Sequence, residues 1–189
     1  MGLTEWAYKL SESLLSDPLP RRWAHSLGVA KRARSLSPIL GDDAELLEAA
    51  AVLHDVGYSP AIAATGFHPL DGARFLREQE GADERVVRLV AHHSCALLEA
   101  EERGLRQELE GEFELERPGL VDALLYCDMT TTPDGTQTRP AERLDEIVQR
   151  YGPDTIVGRF IQRAAPEIHA AAKRVEGRMA EASVGGQPM

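Results

Sequence analysis

Apolar residues recur along this chain at the spacing of one face of an α-helix. Trp6, Leu10 and Leu14 form a first stripe that stops at Asp17-Pro18-Leu19-Pro20, because a proline disfavours helix in the residue before it. Pro20 suits a first helical turn, and Trp23, Leu27, Ala30 and Ala33 carry a second helix to about Leu36, where Ser37-Pro38 interrupts it. His25 therefore sits early in that helix. Asp42 or Asp43 caps a third, AELLEAAAVLHDV, whose nearly continuous apolar run predicts burial on most sides, with Gly57 as the stop. This puts His54 and Asp55 at the end of a core helix. After a connector with Pro60, Gly66 and Pro69, helices are predicted from about 69 to 80 and from 83 to 93. His68 opens the one, and His92 and His93 end the other.

The stretch 99–117 is charged, holds Gly104 and Gly111, and reads as a solvated helix and loop without chemistry of its own. Pro118 starts another apolar helix, GLVDALLYCDM, which brings Asp128 into its last turn before the polar run Thr130 to Gly135. Helices over 140–151 and 154–182 follow, and SVGGQPM reads as a frayed tail. The expectation is one helical domain over 1–182 with a tail over 183–189.

Composition agrees with an all-α fold. Of 189 residues 43% are hydrophobic, enough for a sizeable core in one unit, while only 5% are aromatic and Ala and Leu dominate. The formal charge of −10 argues against a nucleic-acid polymer as partner, since counterion release needs a positive face. A small anionic substrate remains compatible, because bound cations and a few arginines reverse the field inside one cleft. Cys95 and Cys127 form no C-x-x-C, which reads as a reducing compartment. No apolar run approaches the roughly 20 residues that span a bilayer, and the first 15 positions carry Glu5, Lys9 and Glu12, so the expected location is cytoplasmic, away from membranes.

The chemistry concentrates at helix ends. A carboxylate in an apolar helix must be paired or coordinate a metal, since burying it alone costs several kcal/mol. A His-Asp pair by itself is weak evidence and reads first as a surface helix end, where Asp55 meets solvent or a nearby arginine. What strengthens the metal reading is its company: His25 upstream on its own helix, Asp128 at the end of a later apolar helix, and further histidines between them.

In that order the chain resembles the HD-domain superfamily, an all-α helical bundle with its metal site between core helices. The family pattern is an upstream His, a His-Asp doublet and a distant Asp around one metal, matched here by His25, His54 with Asp55, and Asp128. The likeness extends through RRWAHSLGVA, LHDVG, HPLDGARFL, VAHHS and ALLYCDMTT. Two-metal versions add a histidine in an H-P-x-x-G-A-like segment and one at a later helix end, which match His68 and either His92 or His93, with Asp55 bridging. His92 is preferred by matching to the family's segment; His93 is left to contact substrate phosphate, a third metal or the helix end. Imidazoles with carboxylates and no thiolate suit two divalent transition metals, iron or manganese in six-coordinate geometry.

Arg22 lies one turn before His25, placed to meet a substrate phosphate or equally to pair with a nearby carboxylate. Thr130, Thr131 and Thr132 either contact substrate or simply terminate their helix. Tyr58 departs from relatives that carry a lysine shortly after the doublet, and the Gly-Tyr-Pro signature of the cyclic-dinucleotide phosphodiesterases is missing. The resemblance implies a metal-dependent phosphohydrolase acting on a nucleotide or another small phosphate ester, in which Asp55, Arg22 and His93 carry the chemistry, as in the bacterial hydrolases of dinucleoside polyphosphates. The alternatives are a mixed-valent di-iron oxygenase with the same ligand pattern, and a non-catalytic metal-binding sensor.

Overall fold

The computed structural model describes residues 2–185, and among them there is no β-strand. Helices α1 (Leu3–Leu15) and α2 (Pro20–Ser35) flank α4 (Ala44–Leu53), after the short α3 (Ser37–Leu40). Seven of the ten α4 residues are buried, from Leu46 to Leu53, as the unbroken apolar run requires. The small side chains of Ala49, Ala50 and Ala51 let neighbours approach closely, and α1, α2, α6 (Glu84–Ala91) and α9 (Pro118–Met129) all pack on this central helix. Helix α5 (His68–Glu78) lies on α6.

A second apolar cluster joins α9 to α10 (Pro140–Tyr151) and α11 (Ile156–Gly185) through Leu125, Met129, Ile147, Phe160, Ile161 and Ile168. The charged stretch expected as helix and loop resolves into α7 (Ala96–Arg103) and α8 (Arg106–Glu112), separated by Gly104 in the left-handed region at φ 73°. The last helix runs past the expected boundary at 182: Ser183 Oγ donates to the Met179 carbonyl at 2.9 Å, and the helix continues to Gly185. The rest of the expected tail, 186–189, lies outside the described residues. No helix among the described residues is long and apolar enough to cross a membrane.

Two close backbone approaches set the parts that matter for function. A β-carbon at Gly57 would lie 2.0 Å from the His68 carbonyl oxygen, so glycine is what lets the segment after the His54-Asp55 doublet sit against the start of α5. Gly28 of α2 likewise meets Gly135: a β-carbon on Gly28 would stand 2.5 Å from the Gly135 carbonyl oxygen, and Gly135 itself holds φ +78°. That contact presses the loop after α9, closed by an isolated bridge between Thr131 and Gln137, onto the helix that carries His25.

Gly57→Ala should therefore destabilise the protein by about 1–3 kcal/mol through overpacking against backbone. Gly177→Ala, in an α11 position with nothing within 4 Å of the new methyl, should stabilise by about 0.5–1 kcal/mol. Thermal melts of the two variants check the contrast, and a Gly57→Ala protein as stable as the parent would contradict the packing argument.

Candidate metal centre

Five helices deliver side chains to one buried point. His25 comes from α2, His54 closes α4 with Asp55 beside it, His68 opens α5, His93 follows the end of α6, and Asp128 stands in the last turn of α9. His25, His54, Asp55 and His93 are each at most 4% exposed and Asp128 is 8% exposed, so none of their polar atoms is answered by bulk water.

Backbone carbonyls fix three of the imidazoles. Nδ1 of His25 donates to Thr132 at 3.0 Å, Nδ1 of His54 to Ala51 at 2.7 Å, and Nδ1 of His93 to Val90 at 2.7 Å. These bonds occupy Nδ1 of each ring and leave Nε2 facing the centre. There His25 Nε2 lies 2.9 Å from Asp128 Oδ1, while His54 Nε2 stands 3.5 Å from Asp55 Oδ1 and 4.0 Å from Asp128 Oδ1. His68 Nε2 is 3.4 Å from Asp55 Oδ1 and 3.0 Å from His93 Nε2.

This arrangement fits a cation better than it fits itself. His54 Nε2 is buried with no hydrogen-bond partner, an arrangement that costs about 1–3 kcal/mol unless something occupies its lone pair. His25, His54 and Asp128 form one group with donor atoms close enough for a shared ion, and His54, Asp55 and His93 form another. Protonation states agree. Burial opposes charge on Asp55, but the neighbouring His54 and Arg22 hold its carboxyl well below the usual range; burial likewise opposes charge on Asp128, which the His25 hydrogen bond outweighs. Burial pushes His68 and His93 down towards the neutral form, whereas at His25 burial is outweighed by the hydrogen bond that Nε2 donates to Asp128, which raises its pKa; a cation at this point would take the place of that proton. Anionic carboxylates with neutral imidazoles are the state in which metal ligands bind.

The choice of His92 from sequence is corrected by the backbone. Helix α6 ends at Ala91, and the ring of His92 turns away, with Nε2 donating to the Phe113 carbonyl at 2.7 Å. His93 takes the inward place. The next two residues, Ser94 and Cys95, hold left-handed φ values of 50° and 61°, uncommon for side chains other than glycine, asparagine or aspartate. This turn carries the Ser94 hydroxyl onto Asp128 Oδ2, a contact for which the sequence offered no signal.

Arg22 does reach the centre, yet what it holds is Asp55: Nη1 donates to Oδ2 at 2.9 Å. Its guanidinium lies 3.2 Å over the Tyr58 ring, which in turn stacks on His68 at 3.8 Å. Tyr58 is thus a spacer between a cation and an imidazole. The threonines end their helix. Thr130 and Thr131 hydroxyls donate back to the Tyr126 and Cys127 carbonyls at 2.6 and 2.7 Å, and Thr132 contributes only its carbonyl, to His25.

A cleft of about 80 Å³ opens over the cluster. Its floor is Asp55, His68, His93 and Asp128; the opposite wall comes from α10 and α11, with Arg143, Arg150, Tyr151, Phe160 and Ile161. Arg143 escaped the sequence reading because it stands beside Leu144 on the buried face of an amphipathic helix, where charge is not expected.

Comparison with known proteins places these residues in context. The family model described as HD domain matches residues 22–150, a span that holds every residue of the cluster. A stretch of 70 residues is 40% identical to Ribonuclease Y of Rubrobacter xylanophilus, covering 37% of this chain and 14% of that protein, so the chain spans a small fraction of that relative's length. No solved structure matches.

The two adjacent histidines give a direct test. His93→Ala should lower the metal content of protein purified in metal-replete medium, whereas His92→Ala should keep it and instead lose about 1–3 kcal/mol of stability, as the Phe113 carbonyl is left without a donor. Elemental analysis beside a thermal melt separates them. Metal loss in the His92 variant alone would reverse the assignment.

Proposed function

We propose, since the chain belongs to the HD-domain family, that it is a metal-dependent phosphohydrolase acting on a nucleotide or another small phosphate ester. The observation that carries this reading is the convergence of imidazoles and carboxylates, with the buried His54 Nε2 left without a partner among them, beneath a cleft whose facing wall holds guanidinium groups. Such a cleft binds an anion and holds it over a site built for cations.

His25, His54, Asp55 and Asp128 would hold a first metal, and Asp55 with His68 and His93 a second. When bound, two divalent transition metals, iron or manganese by their donor set, supply charge neutralisation for phosphoryl oxygens and a bound water acidified enough to attack phosphorus. The protein's own part is positional. Nδ1 bonds to carbonyls keep the rings from rotating, and the Ser94 hydroxyl and His25 keep Asp128 from turning away.

Arg22, already over Tyr58, need only exchange Asp55 Oδ2 for a phosphate oxygen to hold the substrate beside the floor. The apolar part of the wall, Ile147, Val157, Phe160 and Ile161, excludes water around the leaving group.

Ribonuclease Y is a nuclease by name, but the alignment covers 14% of it. The charge of −10 on this chain argues for a small ester over a polymer. An oxygen-activating centre would use the same donors; the guanidinium wall favours phosphate chemistry.

Phosphate release screened over nucleotides and simple phosphate esters tests the activity, and silence across the screen with metal-loaded protein would reject it. Asp55→Ala should abolish both turnover and metal retention, because its carboxylate adjoins His54 and His68 at once. His68→Ala should retain the fold while stoichiometry falls from about two metals towards one. A wild-type protein that holds a single metal when saturated under anaerobic conditions would remove the second site.

A further inference from the structure

Beside the metal cluster the cleft continues into a recess of about 190 Å³ bounded by Arg21, Arg22, His25, Pro133, Arg143 and Arg150. Arg22, Arg143 and Arg150 line both spaces, so the recess is an extension of the same cleft.

The charges in this recess do not balance. Arg21 pairs with Asp134 and Arg22 with Asp55, one carboxylate each. Arg143 and Arg150 share Glu146: Arg143 Nη1 donates to one oxygen, and Arg150 Nε stands 3.3 Å from the other. Two guanidiniums therefore share a single directly bonded carboxylate, which leaves donors on both without an acid partner. Arg143 is also only 7% exposed, and its Nε has no hydrogen-bond partner. A buried guanidinium donor left unpaired is costly unless a ligand completes it. Its planar fork matches the oxygens of a phosphoryl group.

We propose that Arg143 and Arg150 form a second anion subsite, which takes a phosphoryl group next to the one held over the His-Asp floor. The substrate then carries at least two linked phosphoryl groups, and these arginines select it over a monophosphate. The inference rests on the phosphohydrolase reading only for the word substrate; the anion subsite stands on the arginines themselves.

Inorganic pyrophosphate and orthophosphate are the probes, titrated calorimetrically into metal-loaded wild type, Arg143→Gln and Arg150→Gln, and into wild type stripped with a chelator. Pyrophosphate should bind the loaded protein more tightly than orthophosphate. Each substitution should weaken pyrophosphate about tenfold or more, the loss of one charge-assisted hydrogen bond, while orthophosphate affinity changes little. Stripped wild type should still prefer pyrophosphate. Glu146→Gln should tighten pyrophosphate, since it removes the carboxylate that the two arginines share.

Arg150 has a side chain 33% exposed, so its variant reports on the subsite even where the Arg143 variant fails to fold. Equal pyrophosphate-to-orthophosphate ratios in wild type and the Arg150 variant would overturn the proposal. Monophosphate hydrolysis without any pyrophosphate preference would sink the subsite and spare the hydrolase; selective pyrophosphate binding without hydrolysis of any ester would do the reverse.

Discussion

Two carboxylates, Asp55 and Asp128, stand nearly out of reach of water at the ends of the two most apolar helices of the chain. Charge in such a place costs several kcal/mol unless its surroundings answer it, and the architecture around them follows from that cost. Histidines from α2, α4, α5 and the end of α6 supply the answer, with Arg22 on one side of Asp55 and the Ser94 hydroxyl on one side of Asp128. One polar group is still unanswered, because the buried His54 Nε2 meets no hydrogen-bond partner. The fold is thus organised around a cluster whose donor groups could hold a cation.

Local conformational rules are broken where this cluster needs them broken. Gly57 admits α5 close to the doublet, the Gly28–Gly135 contact brings the Thr132 carbonyl to His25, and Ser94-Cys95 adopts a left-handed pair with side chains present. Each of these adjusts the direction of one imidazole or carboxylate. Strain of about 1–3 kcal/mol per residue at Ser94 and Cys95 is sustained by the packing around them, where α9 meets this turn.

The electrostatics run against the chain as a whole. With a formal charge of −10, the protein repels anions at long range, yet guanidiniums from α2 and α10 line the cleft. Within a Debye length of about 8–10 Å the near charges dominate. Such a charge distribution is the one expected if the proposed substrate is a short anion and not a long polyanion.

Much of this was written in the residue pattern. Helical periodicity and its proline and glycine breaks located the longer helices within a few residues but neither the short α3 nor the division into α7 and α8, the unbroken apolar run of α4 announced its burial, and chemistry alone required that a carboxylate at its end find a partner. The HD-domain resemblance followed from the order of His25, His54, Asp55 and Asp128, because residue type and sequence order are all that such a pattern contains. Direction in space was decided by tertiary structure. Adjacent helical residues point about 100° apart only while the helix lasts, and α6 ends at Ala91, so the φ and ψ angles of His92 to Cys95, set by packing, turned His93 inward and His92 toward Phe113. Arg143 faces inward beside Leu144 from a helix whose neighbouring positions are charged and exposed, and Arg22 found its carboxylate 33 positions away, beyond the end of α4. Pairings across such separations depend on how helices dock, and no local pattern encodes them.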